Sequence, residues 1–210
     1  MNITLLIFQL VVLICSVMIH EIAHGAVALA LGDQTAKRAG RLTFNPLRHI
    51  DPFGSVILPI LLSLLPGAPV LGWAKPVPYN PLNLKNPRRG AGIIGAAGPV
   101  SNLLVATVFG LAVRFLSPLA VTEPMLVLFG LLHIVVIVNV ALALFNLIPL
   151  PPLDGANILF ALLPPQFEAF ERFLVRYGFY LFIILIVGGL DFLSPAIAFL
   201  YTLLVGGGIG

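Results

Sequence analysis

Charge is scarce in this sequence: 9% of its 210 residues are Asp, Glu, Lys or Arg, against 60% hydrophobic, and the mean hydropathy is +1.10. A soluble domain carries about 25% charged residues, so the polar surface needed to face water is missing and the alternative solvent is lipid. Cysteine is nearly absent. The single Cys15 lies inside the first apolar run, which excludes an internal disulfide and leaves the redox compartment unread. No basic residue precedes Lys37, so the basic start of a signal peptide is lacking, and the apolar run continues into helix-compatible residues rather than a cleavage site. No tandem repeat, low-complexity tract or appended soluble domain is visible, and residues 1–210 read as one membrane-embedded domain.

What the chain has instead is long uncharged runs. Met1–Ile19, Gly90–Val113, Pro124–Leu153 and Phe192–Gly210 contain no Asp, Glu, Lys or Arg, and a span needs roughly 20 apolar residues. The cations are unevenly placed. Lys37, Arg38, Arg41, Arg48, Lys75, Lys85, Arg88 and Arg89 fall between the first and second long spans, Arg172 and Arg176 after the third, and Arg114 alone on the other side. If the spans alternate, the positive-inside rule makes the first face cytoplasmic and puts the N-terminus outside a cell membrane. The basic residues form no stripe on one helix, so membrane orientation explains them better than a nucleic-acid partner does.

The expected fold is an all-α polytopic membrane protein with about five transmembrane helices, three of them forming the core. The first runs from about Ile3 to Leu31, stopped by Gly32-Asp33, the second from Gly90 to about Val113, and the third from about Met125 to Ile148. Pro149-Leu150-Pro151-Pro152 ends the third. Residues 177–204 read as two shorter spans. Residues 33–89 form a cytoplasmic-side loop region: Arg41-Leu42-Thr43-Phe44 reads as a short strand and Lys75-Pro76-Val77-Pro78-Tyr79 as an edge strand or extended loop. The apolar stretch after Asp51, interrupted by Pro59, Pro66 and Pro69, reads as a short helix dipping into the membrane.

His20-Glu21-Ile22-Ala23-His24 carries the chemistry. Two His at i and i+4 project from one helix face toward one divalent ion, and the Glu beside them can act as general base toward a water the metal activates. With four His and four Glu in 210 residues, His-Glu-x-x-His arises by chance at roughly 0.1%. Ionisable groups inside an apolar helix are also costly, and functional by default. A catalytic zinc needs a third protein ligand and an open position. Asp33 and Asp51 lie in the polar loop region, and Asp191 lies on the far side by topology. Asp154 follows the cytoplasmic end of the third span, level with His24. The competing role for Asp154 is a helix N-cap for residues 156–163. His133 sits near the outer end of the third span and reads as a packing histidine, and His49, in the basic loop, as a solvated one.

Those residues resemble the site-2 protease family of intramembrane zinc metalloproteases, in a compact prokaryotic branch without an appended regulatory domain. The similarity rests on His20-Glu21-Ile22-Ala23-His24-Gly25, Gly72-Trp73-Ala74-Lys75-Pro76-Val77-Pro78, Gly98-Pro99-Val100-Ser101-Asn102, and Asn146 through Gly155, in that order over residues 17–163. The resemblance implies one Zn²⁺ held by His20, His24 and Asp154, with Glu21 as the catalytic carboxylate and Asn146 holding substrate or oxyanion. The implied substrates are single-span membrane proteins. A transmembrane helix hides its carbonyls in hydrogen bonds and must unwind to be cut; Arg41, Leu42, Thr43 and Phe44 are the candidate edge that would hold it extended. The Gly98-Pro99 break could widen a water route, or serve close helix packing. Two other classes stay open: a membrane metal-ion transporter, which would not need Glu21 between the histidines, and a catalytically silent relative that binds membrane partners.

Overall fold

The computed structural model describes residues 3–49, 51, 54, 57, 61, 64, 75–119 and 121–206. The expected membrane-dipping helix, and Gly72-Trp73-Ala74 of the quoted motif, lie outside the described residues. Seven α-helices are described: α1 Ile3–Ala30, α2 Thr35–Arg38, α3 Pro87–Leu116, α4 Glu123–Asn146, α5 Asp154–Leu162, α6 Glu168–Gly188 and α7 Ser194–Val205. Of these, α1, α3 and α4 are long and apolar enough to cross a membrane. The expectation of about five spans changes here. α6 and α7 meet at 82° around a break, so they amount to one broken span or a re-entrant loop. Gly189 at φ 95° makes that corner, a conformation glycine adopts without a Cβ penalty.

α3 is the centre of the bundle, packing against α1, α4, α5 and α7. Its start is well specified: the Asn86 side chain accepts the Arg89 N–H (3.0 Å), and Pro87 occupies the first turn, where no N–H is needed. The helix then runs unbroken through Gly98-Pro99, with Pro99 fully buried, so the expected break is not a break. Packing explains the glycines instead. A Cβ at Gly92 would run into Ala161, and one at Gly95 would sit 3.0 Å from both Asn157 Cβ and the Asp154 carbonyl. The bare face lets α5 lie directly against α3.

The outside is apolar, unlike that of a soluble protein, and a polar knot lies within the apolar core. Leu104, Val108, Phe115, Leu126, Val127 and Leu128 are exposed, whereas Ser16, Asn102 and Asn139 are buried. That arrangement suits a multi-pass membrane protein, whose polar groups must find partners inside the bundle. An apolar cluster of Ala106, Val136, Val140 and Tyr201 joins α3, α4 and α7 beside this polar knot.

The loop region is tied to the end of α1 through Asp33. Its buried carboxylate accepts hydrogen bonds from Thr35 N–H (3.1 Å) and Oγ1 (2.6 Å), Asn80 N–H (2.8 Å) and Asn83 Nδ2 (2.7 Å). Burial alone would raise this carboxyl; the bonds from Thr35, Asn83 and Asn80 outweigh it and hold the group down at about 2. No strand occurs among the described residues. Residues 41–44 form a bend rather than the expected strand, because Thr43 Oγ1 accepts the Asn45 N–H (3.2 Å) and Asn45 Oδ1 that of Leu47 (3.1 Å), turning the chain locally. Residues 75–80 belong to no helix and no strand.

Candidate metal centre

α1 exceeds the hydrocarbon thickness at about 42 Å, and His20 and His24 sit in its C-terminal half, both buried. Asp154 reaches them from the first turn of α5. The prolines after α4 stop that helix and turn the chain, and Gly155 packs so tightly beneath the carbonyls of Leu147 and Ile148 that a Cβ there would overlap them. Leu153, not Asp154, occupies the N-cap position of α5, so the capping alternative falls away: the Asp154 carboxylate is aimed at the histidines.

Three ligand atoms converge. His20 Nε2 and His24 Nε2 lie 3.0 Å apart, and Asp154 Oδ2 lies 3.0 Å from the first and 3.2 Å from the second. Metal bonds of about 2.0–2.1 Å at tetrahedral angles would put neighbouring ligand atoms about 3.3–3.4 Å apart. The other ring nitrogens decide what these atoms carry. His20 Nδ1 meets Asn102 Oδ1 at 2.7 Å and His24 Nδ1 meets the Ile94 carbonyl at 2.6 Å. Both partners are acceptors, so each Nδ1 bears the proton and each Nε2 is left as a lone pair. Asp154 Oδ2 is buried without a hydrogen-bond donor. With both imidazoles in that neutral form three lone pairs face one another, and a divalent cation at their centre would turn their repulsion into binding.

The support extends further than the ligands. Asn102 Nδ2 donates to Ser16 O (3.2 Å) and Asn139 Oδ1 (2.9 Å), and Asn139 Nδ2 donates to Ser16 Oγ (2.9 Å) and Val135 O (2.9 Å). The chain of donors fixes the orientation of both amides and through Asn102 the tautomer of His20. Gly98 lies directly against the rings: a Cβ there would overlap Nε2 of both histidines. Glu21, beside His20, accepts the Val77 N–H on Oε2 at 2.7 Å.

Comparison with known proteins fits this site. YwhC of Bacillus subtilis (strain 168), provisionally named a zinc metalloprotease, is 40% identical over 185 residues, covering 86% of this chain and 80% of YwhC. The family model described as Peptidase family M50 matches residues 118–185. The chain belongs to peptidase family M50, the site-2 protease family. Among other relatives of this M50 chain, Rip2 of Mycolicibacterium smegmatis, also provisionally named a zinc metalloprotease, is 30% identical over 174 residues; these cover 82% of this chain and 63% of Rip2. No solved structure matches the chain.

In this M50 chain the structure brings His20, His24 and Asp154 together, with Glu21 next in sequence. It does not bring Asn146 to them by any hydrogen bond: the residue ends α4 with its Nδ2 folded back on Leu142 O (2.9 Å). Arg41 is buried with Nη2 on the Pro76 carbonyl (3.4 Å), and Phe44 is 73% exposed. His133 is paired with Tyr201 Oη (2.5 Å), as a packing histidine. His49 is not solvated: it is buried, with Nε2 on the Thr43 carbonyl (2.9 Å), because the turn at Pro46–Arg48 folds it back under the bend. The roles of Asn102 and Asn139 were missed; the available signal was an amide at mid-span in each of two apolar helices, where such groups need a reason. Asn102→Ala should weaken metal affinity roughly 10–100-fold, the usual cost of losing a group that orients a ligand. Chelator competition measures this, and His133→Ala, outside the network, should leave affinity unchanged.

Proposed function

We propose that this protein is an intramembrane zinc metalloendopeptidase that hydrolyses peptide bonds in or beside transmembrane segments, as in regulated intramembrane proteolysis. The observation that carries this is the convergence of three ligand atoms from His20, His24 and Asp154 among apolar helices, with the Glu21 carboxylate next in sequence to His20. Donors of two imidazoles and one carboxylate suit a catalytic zinc with an open fourth position. His20, His24 and Asp154 would hold the zinc ion, which would supply Lewis acidity toward a peptide carbonyl and toward water near pH 7. Glu21 takes the water's proton on its carboxylate and returns it to the departing amine nitrogen. The Asn102 side-chain oxygen and the Ile94 carbonyl accept from Nδ1–H of His20 and His24, which turns Nε2 of each ring toward the metal position.

The distribution of cations supports a cell-membrane orientation with the N-terminus outside and the site toward the cytoplasm. The substrates are single-span membrane proteins whose helix unwinds at the site. The test is a cleavage assay in detergent on a single-span substrate. The purified protein should hold one zinc per chain and cut that substrate. A zinc chelator should reduce cleavage to background, and added zinc should restore it. Cleavage unaffected by metal removal would reject the proposal.

A further inference from the structure

The arm that follows the undescribed part of the loop region has an unusual arrangement of backbone donors. In Lys75-Pro76-Val77-Pro78, prolines on both sides remove the neighbouring N–H groups, leaving Val77 with the one amide proton of residues 76–78. That N–H is the one on Glu21 Oε2, at 2.7 Å, and it is the one hydrogen bond the Glu21 carboxylate makes among the described residues. The arm is anchored on both sides of this contact. Lys75 N–H donates to His49 O (2.9 Å), Arg41 Nη2 to Pro76 O (3.4 Å), and Asn80 N–H to the Asp33 carboxylate (2.8 Å). Gly25 makes the approach to α1 possible, because a Cβ there would lie 2.9 Å from Val77 Cγ1 and 2.7 Å from Leu42 Cδ2. Gly25 stands four residues after Glu21, on the same face one turn on.

We infer that residues 75–80 are a positioning arm for Glu21: the lone Val77 N–H fixes one carboxylate oxygen and leaves the other free to take the proton. This rests on the reading of Glu21 as the base. It also gives the alternate prolines a reason unrelated to strand pairing. With Pro76 and Pro78 lacking N–H groups and that of Val77 engaged, the arm offers no donor row for a substrate strand. A flexible loop could make the same contact, but it would not hold it. The arm's prolines and its anchors at His49, Arg41 and Asp33 pre-set the geometry in which the base works, which is what a positioned catalytic group requires.

The experiment replaces the Val77 amide by an ester, through incorporation of the matching α-hydroxy acid into the full chain. This deletes the N–H and keeps the side chain. An ester at Tyr79, whose N–H makes no hydrogen bond among the described residues, is the control. The Val77 ester should lose roughly 10–100-fold in kcat, the scale of one hydrogen bond to a charged group. Its KM and zinc content should stay within about twofold of the Tyr79 ester. If the Val77 ester does not fold, Val77→Pro removes the same proton and is read in the same way. Equal kcat in the two esters overturns the proposal. So does loss of zinc or of folding in both Val77 variants, which would assign the contact to stability. Wild-type protein that does not cleave, or Glu21→Gln that cleaves like wild type, sinks the reading of Glu21 itself, whatever the esters do.

Discussion

Glu21→Gln should lower kcat by about 100–10,000-fold, the range that one general acid–base group contributes, with zinc content unchanged. The substitution is nearly isosteric. Glutamine Oε1 can still accept the Val77 N–H that now lies 2.7 Å from Oε2, so the arm keeps its contact and the fold keeps its shape. On the proposed mechanism, what is lost is the capacity to take a proton from water and give it to the leaving nitrogen. Metal retention follows from the ligand set, because the convergent atoms belong to His20, His24 and Asp154 and not to Glu21. Single-turnover cleavage of a single-span substrate, beside metal analysis of the same preparation, separates the two. Activity within a few-fold of wild type would remove Glu21 from the chemistry; loss of zinc would make it a ligand instead.

Asp154→Ala should do the opposite and empty the site. The carboxylate is the one anionic member of the triad, and breaking a buried charge pair costs roughly 3–5 kcal/mol. At about 1.4 kcal/mol per decade, that is between two and four decades of zinc affinity, enough to take a stoichiometric site to near none after dialysis. Stability should reverse sign with metal. In zinc, wild type should melt higher than the variant, since binding to the native state stabilises it. Stripped of zinc, wild type retains a buried Oδ2 without a donor, and Asp154→Ala should melt no lower. A variant that keeps its zinc would transfer the third ligand elsewhere.

How much of this was legible from residues alone depended on whether the signal was local. His20 and His24 are one helical turn apart, so a period of 3.6 is enough to put them on one face. Asp154 was reachable from topology, since the proline run after α4 leaves it at the same membrane depth. The capping reading of Asp154 could be resolved only by seeing Leu153 take that position. Asn102 and Asn139 were not legible as a network, because their partners come from other helices, 86 and 123 residues away at Ser16. The bend at residues 41–44 lost to local chemistry, Thr43 and Asn45 turning a segment whose composition suits a strand. The corner between α6 and α7 was visible as Gly188-Gly189, but its 82° angle, which makes the pair a broken span or a re-entrant loop, was not.

The ligands are also spread along the chain in an order that matters during synthesis. His20 and Asp154 are separated by 154 − 20 = 134 residues, and Asn102, which fixes the tautomer of His20, emerges between them. Until residue 154 has left the ribosome and α5 has settled on the glycine face of α3, the nascent chain carries a histidine pair with no anionic partner. A hydrolytic centre therefore cannot exist on a half-made chain, and helices passing beside it during insertion meet an inert neighbour. Activity begins only once most of the bundle is built.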